Sequence, residues 1–314
     1  MEVEGNKTMF FAVALLSVSV PGSMLNTMAT DEKPKRPNRL STEQSAYLKS
    51  ASHQPVNWFP WGKEAFDSAQ RENKPILLDI GAVWCHWCHV MDAESYENDS
   101  IASLINQYYV PVKVDRDERP DIDSRYQAAV SAISGQGGWP LTAFLTPEGK
   151  VFYGGTYFPP EDRYGRAGFP KVLQILAETF GKEPEKVLQN ASHVENAVRT
   201  QLARVSDKVE LNESLVDSAL NSISHEYDSR FGGFGTAPKF PHPSAIELLL
   251  ARYDQTGEQW MIDAVRNTLR RMARGGMFDQ LGGGFHRYST DEKWIVPHFE
   301  KMLYDNAPLL KNYV

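Results

Sequence analysis

Cys85 and Cys88 are the only two cysteines in a chain of 314 residues, and they stand as Cys-x-x-Cys. That spacing supports several chemistries. Two thiols one helical turn apart can close and open a disulfide. They can also be half of a zinc site, which His86, His89 or His53 would have to complete. With the next residue, Cys85-x-x-Cys88-His89 matches the pattern for covalent haem attachment, and packing of two small apolar side chains is the plainest alternative. The residues in front favour the first. Ile76 to Ile80 is a short apolar run behind Pro75, the pattern of a buried parallel strand. Gly81 and Ala82 follow, and His86 to Tyr96 contains neither Gly nor Pro and reads as helix. Free amides at a helix start favour negative charge, so a cysteine there ionises below the ordinary thiol value of about 8.5. A protonated His86 between the cysteines adds to that effect. Haem would need an open loop in place of a strand running into a helix. Electron exchange in turn needs sulfurs that solvent can reach and that no ion occupies.

This stretch resembles the thioredoxin superfamily beyond the two cysteines. Asp79 lies six residues before Cys85, where thioredoxins carry a buried acid, and Trp84 directly precedes the first cysteine, as it does there. The resemblance implies that Cys85 is the attacking thiol, Cys88 the resolving thiol and Asp79 the proton acceptor for Cys88. A carboxylate buried under a strand end has a raised pKa and can exchange protons near neutrality; an exposed strand-end acid is the equal alternative for Asp79. Thioredoxin-like proteins also place a cis-proline before a later strand, and Trp139-Pro140 occupies that place. Only about 5–6% of X–Pro bonds are cis, so this expectation rests on the resemblance. Trp87 and His89 complete the supporting set.

The length predicts two domains. A net charge of −7 leaves no basic footprint for nucleic acid. No segment is long enough to span a bilayer, and two cysteines make no disulfide scaffold. Met9 to Val20 is an apolar run that suits a signal-peptide core and points to secretory or organellar targeting. Glu2 and Glu4 outnumber Lys7 before it, however, and Met28 offers another start, which keeps a cytoplasmic location open. Residues 1–35 are expected to be a targeting or unstructured extension.

Beyond this, Leu40 to Ser52 is polar with few apolar anchors, and Trp58, Phe59 and Trp61 read as core packing of a loop. Asp99 is expected to cap a helix carrying Ile101, Leu104 and Ile105. Val110 to Val114 reads as a strand, and Asp115 to Asp121 as a solvated charged connection. Ile122 to Ile133 has helical spacing, and Leu141 to Thr146 with Lys150 to Tyr153 forms a hairpin. Two helices follow, giving an α/β domain over residues 36–205. From Leu211 the pattern is expected to be all-helical without strands, with a capping box at Ser244 to Glu247 and a helix starting at Pro297 that places His298, Lys301 and Asp305 on one side. Aromatic and charged side chains beside glycine-rich loops suit a sugar-sized pocket; His286, Arg287, His298, Glu300, Tyr304 and Asp305 are its candidates, with solvated helix faces as the alternative.

Trp84 to His89, Gly137-Gly138-Trp139-Pro140, Gly282 to Tyr288 and Trp294 to Asn306 together resemble the spermatogenesis-associated thioredoxin-like family over residues 36–314. The resemblance implies a thioredoxin-like domain joined to an (α/α)6 barrel similar to six-hairpin glycosidases and epimerases. Residues 206–314 would supply only its first helices, so the chain is expected to be truncated. The expected function is a thiol–disulfide oxidoreductase acting on a disulfide-containing protein or a small thiol, with no cofactor and no metal. The alternatives are a sugar-binding or sugar-modifying protein, whose ligand the complete helical domain would take, and an interaction module that keeps the motif without turnover.

Overall fold

The computed structural model describes residues 37–163, 165–203 and 212–314. The expected N-terminal extension lies outside the described residues, as does the expected boundary at 205. Arg36–Val314 cluster as one compact unit.

The framework is a five-stranded sheet of β1 (Phe59–Pro60), β2 (Ile76–Gly81), β3 (Val110–Asp115), β4 (Leu141–Leu145) and β5 (Val151–Gly155). Its order is β1-β3-β2-β4-β5. The first three strands are parallel, β4 runs antiparallel to β2, and β5 runs antiparallel to β4. This is the thioredoxin fold, as the resemblance implied. β2, β3 and β4 are buried at every position, which explains why their sequences run apolar instead of alternating.

Helices cover both faces. α1 (Ala46–Ser50), α3 (His86–Met91), α4 (Asp99–Tyr108) and α6 (Phe169–Lys182) pack with Leu77 and Phe144 on one. α2 (Lys63–Glu72) and α5 (Pro120–Ser134) pack with Ile76, Leu78 and Ile80 on the other. α7 (Pro184–Ala203) runs past the β5 edge, giving Val187 and Ala191 to the first core and Val194 and Val198 to the second. Three local expectations change. The stretch from Leu40 to Ser52 is well anchored, with Leu40, Tyr47, Leu48 and Ala51 buried. Phe59 belongs to an edge strand, not a loop. The cap of α4 is Asn98, whose carboxamide oxygen accepts from Ser100 and Ile101, one residue ahead of the expected Asp99.

The C-terminal portion is helical: α8 (Glu213–Glu226), α9 (Pro243–Thr256), α10 (Gln259–Arg274) and α11 (Leu303–Tyr313). It is not free of strands. β6 (Tyr288–Ser289) pairs antiparallel with β7 (Pro297–His298). Pro297 therefore starts no helix, and His298, Lys301 and Asp305 share no helix face. The reason is Asp291, whose carboxylate accepts the N–H groups of Lys293, Ile295 and Val296 and closes the hairpin before a helix can start. The supposed capping box also fails: α9 already begins at Pro243, after His242 in a left-handed conformation at φ 48°.

The glycine-rich loops are held from inside. The Lys239 ammonium is fully buried and donates to Asp228 Oδ2 at 2.7 Å and to the carbonyls of Gly232 and Glu292 at 3.0 Å. Trp294, also fully buried, donates its indole N–H to Phe231 O at 3.0 Å. Lys239→Met preserves most of the volume but leaves Asp228 and two carbonyls unpaired. It is expected to cost about 3 kcal/mol, read from urea midpoints; an unchanged midpoint would show that the loops are held otherwise.

Candidate active site

The site is built on the end of β2. In the β2–β3 register Asp79 lies beside Lys113, and in the β2–β4 register beside Thr142. The Lys113 ammonium, fully buried, donates to Asp79 Oδ2 at 2.7 Å and to Asp92 Oδ1 at 3.0 Å. Asp79 also accepts the hydroxyls of Tyr47 at 3.1 Å and Tyr96 at 3.3 Å. Gln54 donates to Asp92 and accepts the Trp58 indole N–H, extending the network to the N-terminal segment. Burial raises the pKa of Asp79 against the pull of Lys113. Burial works against the Lys113 ammonium, yet Asp79 and Asp92 together raise its pKa above the ordinary value. Asp79 is thus the buried acid, not the exposed strand-end residue.

The chain leaves β2 at Gly81 and turns so that Cys85 becomes the residue before α3. Cys85 Sγ accepts the Cys88 N–H at 3.2 Å, and the two cysteines form a disulfide. A Cβ on Gly81 would collide with the Tyr47 hydroxyl and with Cys88 Sγ. The Tyr47 hydroxyl, bonded to Asp79, and Cys88 Sγ therefore border the same space beside Gly81. Among the described residues no group of three or more His, Cys, Asp or Glu side chains could hold a metal ion. His89 Nε2 is bonded to Val83 O at 2.7 Å, as a donor in the tautomer that pairs with a carbonyl.

Above the disulfide stands a wall that combines the two sequence-predicted sites. Trp84 and Trp139 meet edge to face at 5.7 Å, held by indole N–H bonds to Asp117 and Asp123. The Arg287 guanidinium lies 4.7 Å from the Trp84 ring centre and 5.7 Å from that of Trp139. Glu300 Oε1 accepts the His86 N–H at 3.1 Å, while its Oε2 lies 3.2 Å from Arg287 Nη1 and 3.4 Å from His298 Nδ1. The His298 ring stacks on Tyr288 at 4.7 Å and meets His86 at 5.5 Å. Burial lowers the His298 pKa, and Glu300 opposes the drop. Cys85 is 3% exposed and Cys88 1%, so the solvent-reachable sulfurs that electron exchange needs are not what this conformation presents.

The structure thus unites Cys85, Cys88, Asp79, Trp84, His86 and Trp139 with Arg287, His298 and Glu300. The Trp139–Pro140 bond is cis, as expected. Trp87 is 44% exposed and packs on Tyr157, to one side. His286 is buried against Phe299. Burial raises the pKa values of Tyr304 and Asp305, and the nearby Arg287 opposes the rise. The charged connection is not simply solvated: Asp115 is buried and accepts the Ser45 hydroxyl at 2.6 Å. Tyr47, Asp92, Tyr96 and Lys113 were missed in the sequence. Only Lys113 left a signal there, as a lone cation inside an apolar strand.

The family model Thioredox_DsbH, described as a protein of unknown function, DUF255, matches residues 37–199. Spermatogenesis-associated protein 20 of Homo sapiens is 43% identical over 305 residues, which is 95% of this chain. The chain belongs to the Thioredox_DsbH (DUF255) family. An uncharacterized protein of Caenorhabditis elegans, B0495.5, is 44% identical over 280 residues, 88% of the chain. The chain spans 39% of the human relative and 38% of the nematode one. A solution structure of a thioredoxin from Thermus thermophilus aligns with 40% of this chain and 91% of its own at 22% identity, TM-score 0.32.

The Asp79–Lys113 pair sets a pH dependence. Asp79 has a raised pKa in the folded chain, so its contribution to stability is complete below the unfolded carboxylate value and is lost as pH rises through the folded one. Lys113→Met removes the countercharge and moves that folded value further up. The variant is expected to be about 3 kcal/mol less stable than wild type near pH 8, and the deficit to shrink toward about pH 5. Urea midpoints at the two pH values check it; a pH-independent deficit would remove Asp79 from the account.

Proposed function

We propose that this chain is a thiol–disulfide oxidoreductase of the thioredoxin kind. The observation that supports it best is the stacking of three things along one strand end: the Asp79 acid, the Tyr47 hydroxyl and the Cys85–Cys88 disulfide. In the reduced protein the Cys85 thiolate attacks one sulfur of a substrate disulfide, and the other substrate sulfur leaves as a thiol. Cys88 then gives its proton toward Asp79, attacks Cys85 in the mixed disulfide and releases the second substrate thiol. Two electrons pass from the dithiol to the substrate. The closed wall has to part from His86 before a substrate sulfur reaches Cys85. Substrates of this chemistry are a disulfide-bearing protein or a small thiol, and no cofactor is required.

We further read residues 36–205 and 206–314 as two domains, the second being the opening of a six-hairpin barrel. The carbohydrate reading draws no comparable support. Glu300, one of its two carboxylates, is engaged by Arg287 and the His86 N–H.

Insulin reduction driven by dithiothreitol tests the main reading. Cys85→Ser is expected to abolish it, and Asp79→Asn to slow it by about tenfold to a hundredfold. Wild-type rates from Cys85→Ser would defeat the assignment.

A further inference from the structure

The contact between Glu300 and the cysteine turn has electrostatic consequences. The His86 N–H is the first amide after Cys85, among the donors best placed to meet an anion on that sulfur. It is occupied instead by a carboxylate supplied from 214 residues away in the chain. That carboxylate is not alone. Arg287 Nη1 lies 3.2 Å from it, and the Arg287 N–H donates to Glu300 O at 2.7 Å. The side chains of Glu300 and Arg287 are 8% and 17% exposed, so solvent screens them poorly. Other charged and titratable groups also lie around the disulfide, the His86 imidazole between the two cysteines and next to His298 among them. Asp79 and Asp92 share Lys113 below it. Arg116 is paired with Asp117 and Asp123 at the side. His298 touches Glu300, Asp305 and Tyr304 lie under the influence of Arg287, and His89 is tied to Val83.

Taking the thiol–disulfide reading as its basis, we infer that Glu300 and Arg287 are opposed positioning residues that set the redox poise of the Cys85–Cys88 pair. Glu300 disfavours a thiolate at Cys85, both by its charge and by holding the His86 amide. Arg287 offsets that charge and favours the thiolate. Reduction of the disulfide takes two electrons and two protons, one thiol staying protonated and Cys85 releasing its proton as the thiolate. The ion pair sits on the side of the balance that this release depends on. With both residues present the two effects largely cancel; with either removed, the other is left to act on the sulfur.

The test is the equilibrium of the full chain with oxidised and reduced dithiothreitol, read together with the ultraviolet absorbance of the thiolate across pH. Glu300→Gln keeps an oxygen for the His86 N–H and removes the charge. It is expected to lower the pH at which Cys85 ionises and to favour the dithiol by about tenfold, or about 30 mV. Arg287→Met retains an apolar body against the tryptophans and removes the cation. It is expected to shift both readings by a similar factor in the reverse direction. Opposite signs support the inference. Equal signs, or no shift in either variant, overturn it, because a wall that merely covers the disulfide would loosen alike in both. If one variant fails to fold, the direction shown by the other still decides. Insulin turnover separates the two levels: potentials that move as stated in a protein without turnover would sink the oxidoreductase reading alone, and normal turnover with unmoved potentials would sink this inference alone.

Discussion

Lys113 stands in the middle of β3 with its ammonium sealed from water, and the site could not be assembled without its partners. An isolated ammonium in such surroundings would lose far more hydration than the fold could offset. It is tolerated because two carboxylates and three aromatic faces converge on it: Asp79 from β2, Asp92 from the turn after α3, and the rings of Tyr47, Trp58 and Tyr96 at 4.6–5.1 Å. The partners come from separate pieces of chain, only Asp92 and Tyr96 sharing one. The requirement to satisfy one charge therefore fixes the strand pair, the helix that carries the cysteines and the N-terminal segment against each other. The widened turn at Asp92–Tyr96 is part of this. A single π-type turn places both Asp92 and Tyr96 in the cluster, in keeping with the tendency of such turns to occur at functional positions.

What the cluster does for the sulfurs follows from packing. Gly81 has no side chain, and the space a methyl group would need is shared by the Tyr47 hydroxyl and Cys88 Sγ. The Tyr47 hydroxyl thus bonds to Asp79 and borders the same space as Cys88 Sγ. A proton can move between such groups only if they have comparable affinities for it. Burial, which raises Asp79, brings the carboxyl closer to the thiol range. The Lys113 ammonium works in the opposite direction.

Much of the thioredoxin-like part was legible because its signals are local. The apolar run Ile76 to Ile80, the Cys-x-x-Cys that follows and the hairpin from Leu141 each declare themselves within a few residues. β1 was not legible, since a two-residue edge strand has no periodicity to detect. The hairpin at Tyr288 and Pro297 was misread as helix because Pro297 fits a helix start, while the competing cause, Asp291 collecting three amides, lies six residues earlier. Lys113 was visible as an oddity, but its meaning depends on strand register, and register is a long-range property. The same holds for Arg287, His298 and Glu300. They were singled out for a sugar pocket, and nothing local says that they meet the cysteine turn.

That convergence changes what the two groups of motif residues mean. Considered apart, the cysteine turn suggests one chemistry and the acids and histidines near the C-terminal end another. In the structure the second group is the roof of the first: Arg287 lies on the tryptophans that flank the cysteine turn, and Glu300 occupies its leading amide. A carboxylate committed to an arginine and an amide is poorly suited to serve as a free acid toward a sugar. The α/β portion alone would present Trp84 and Trp139 without their guanidinium and the His86 amide without its acceptor.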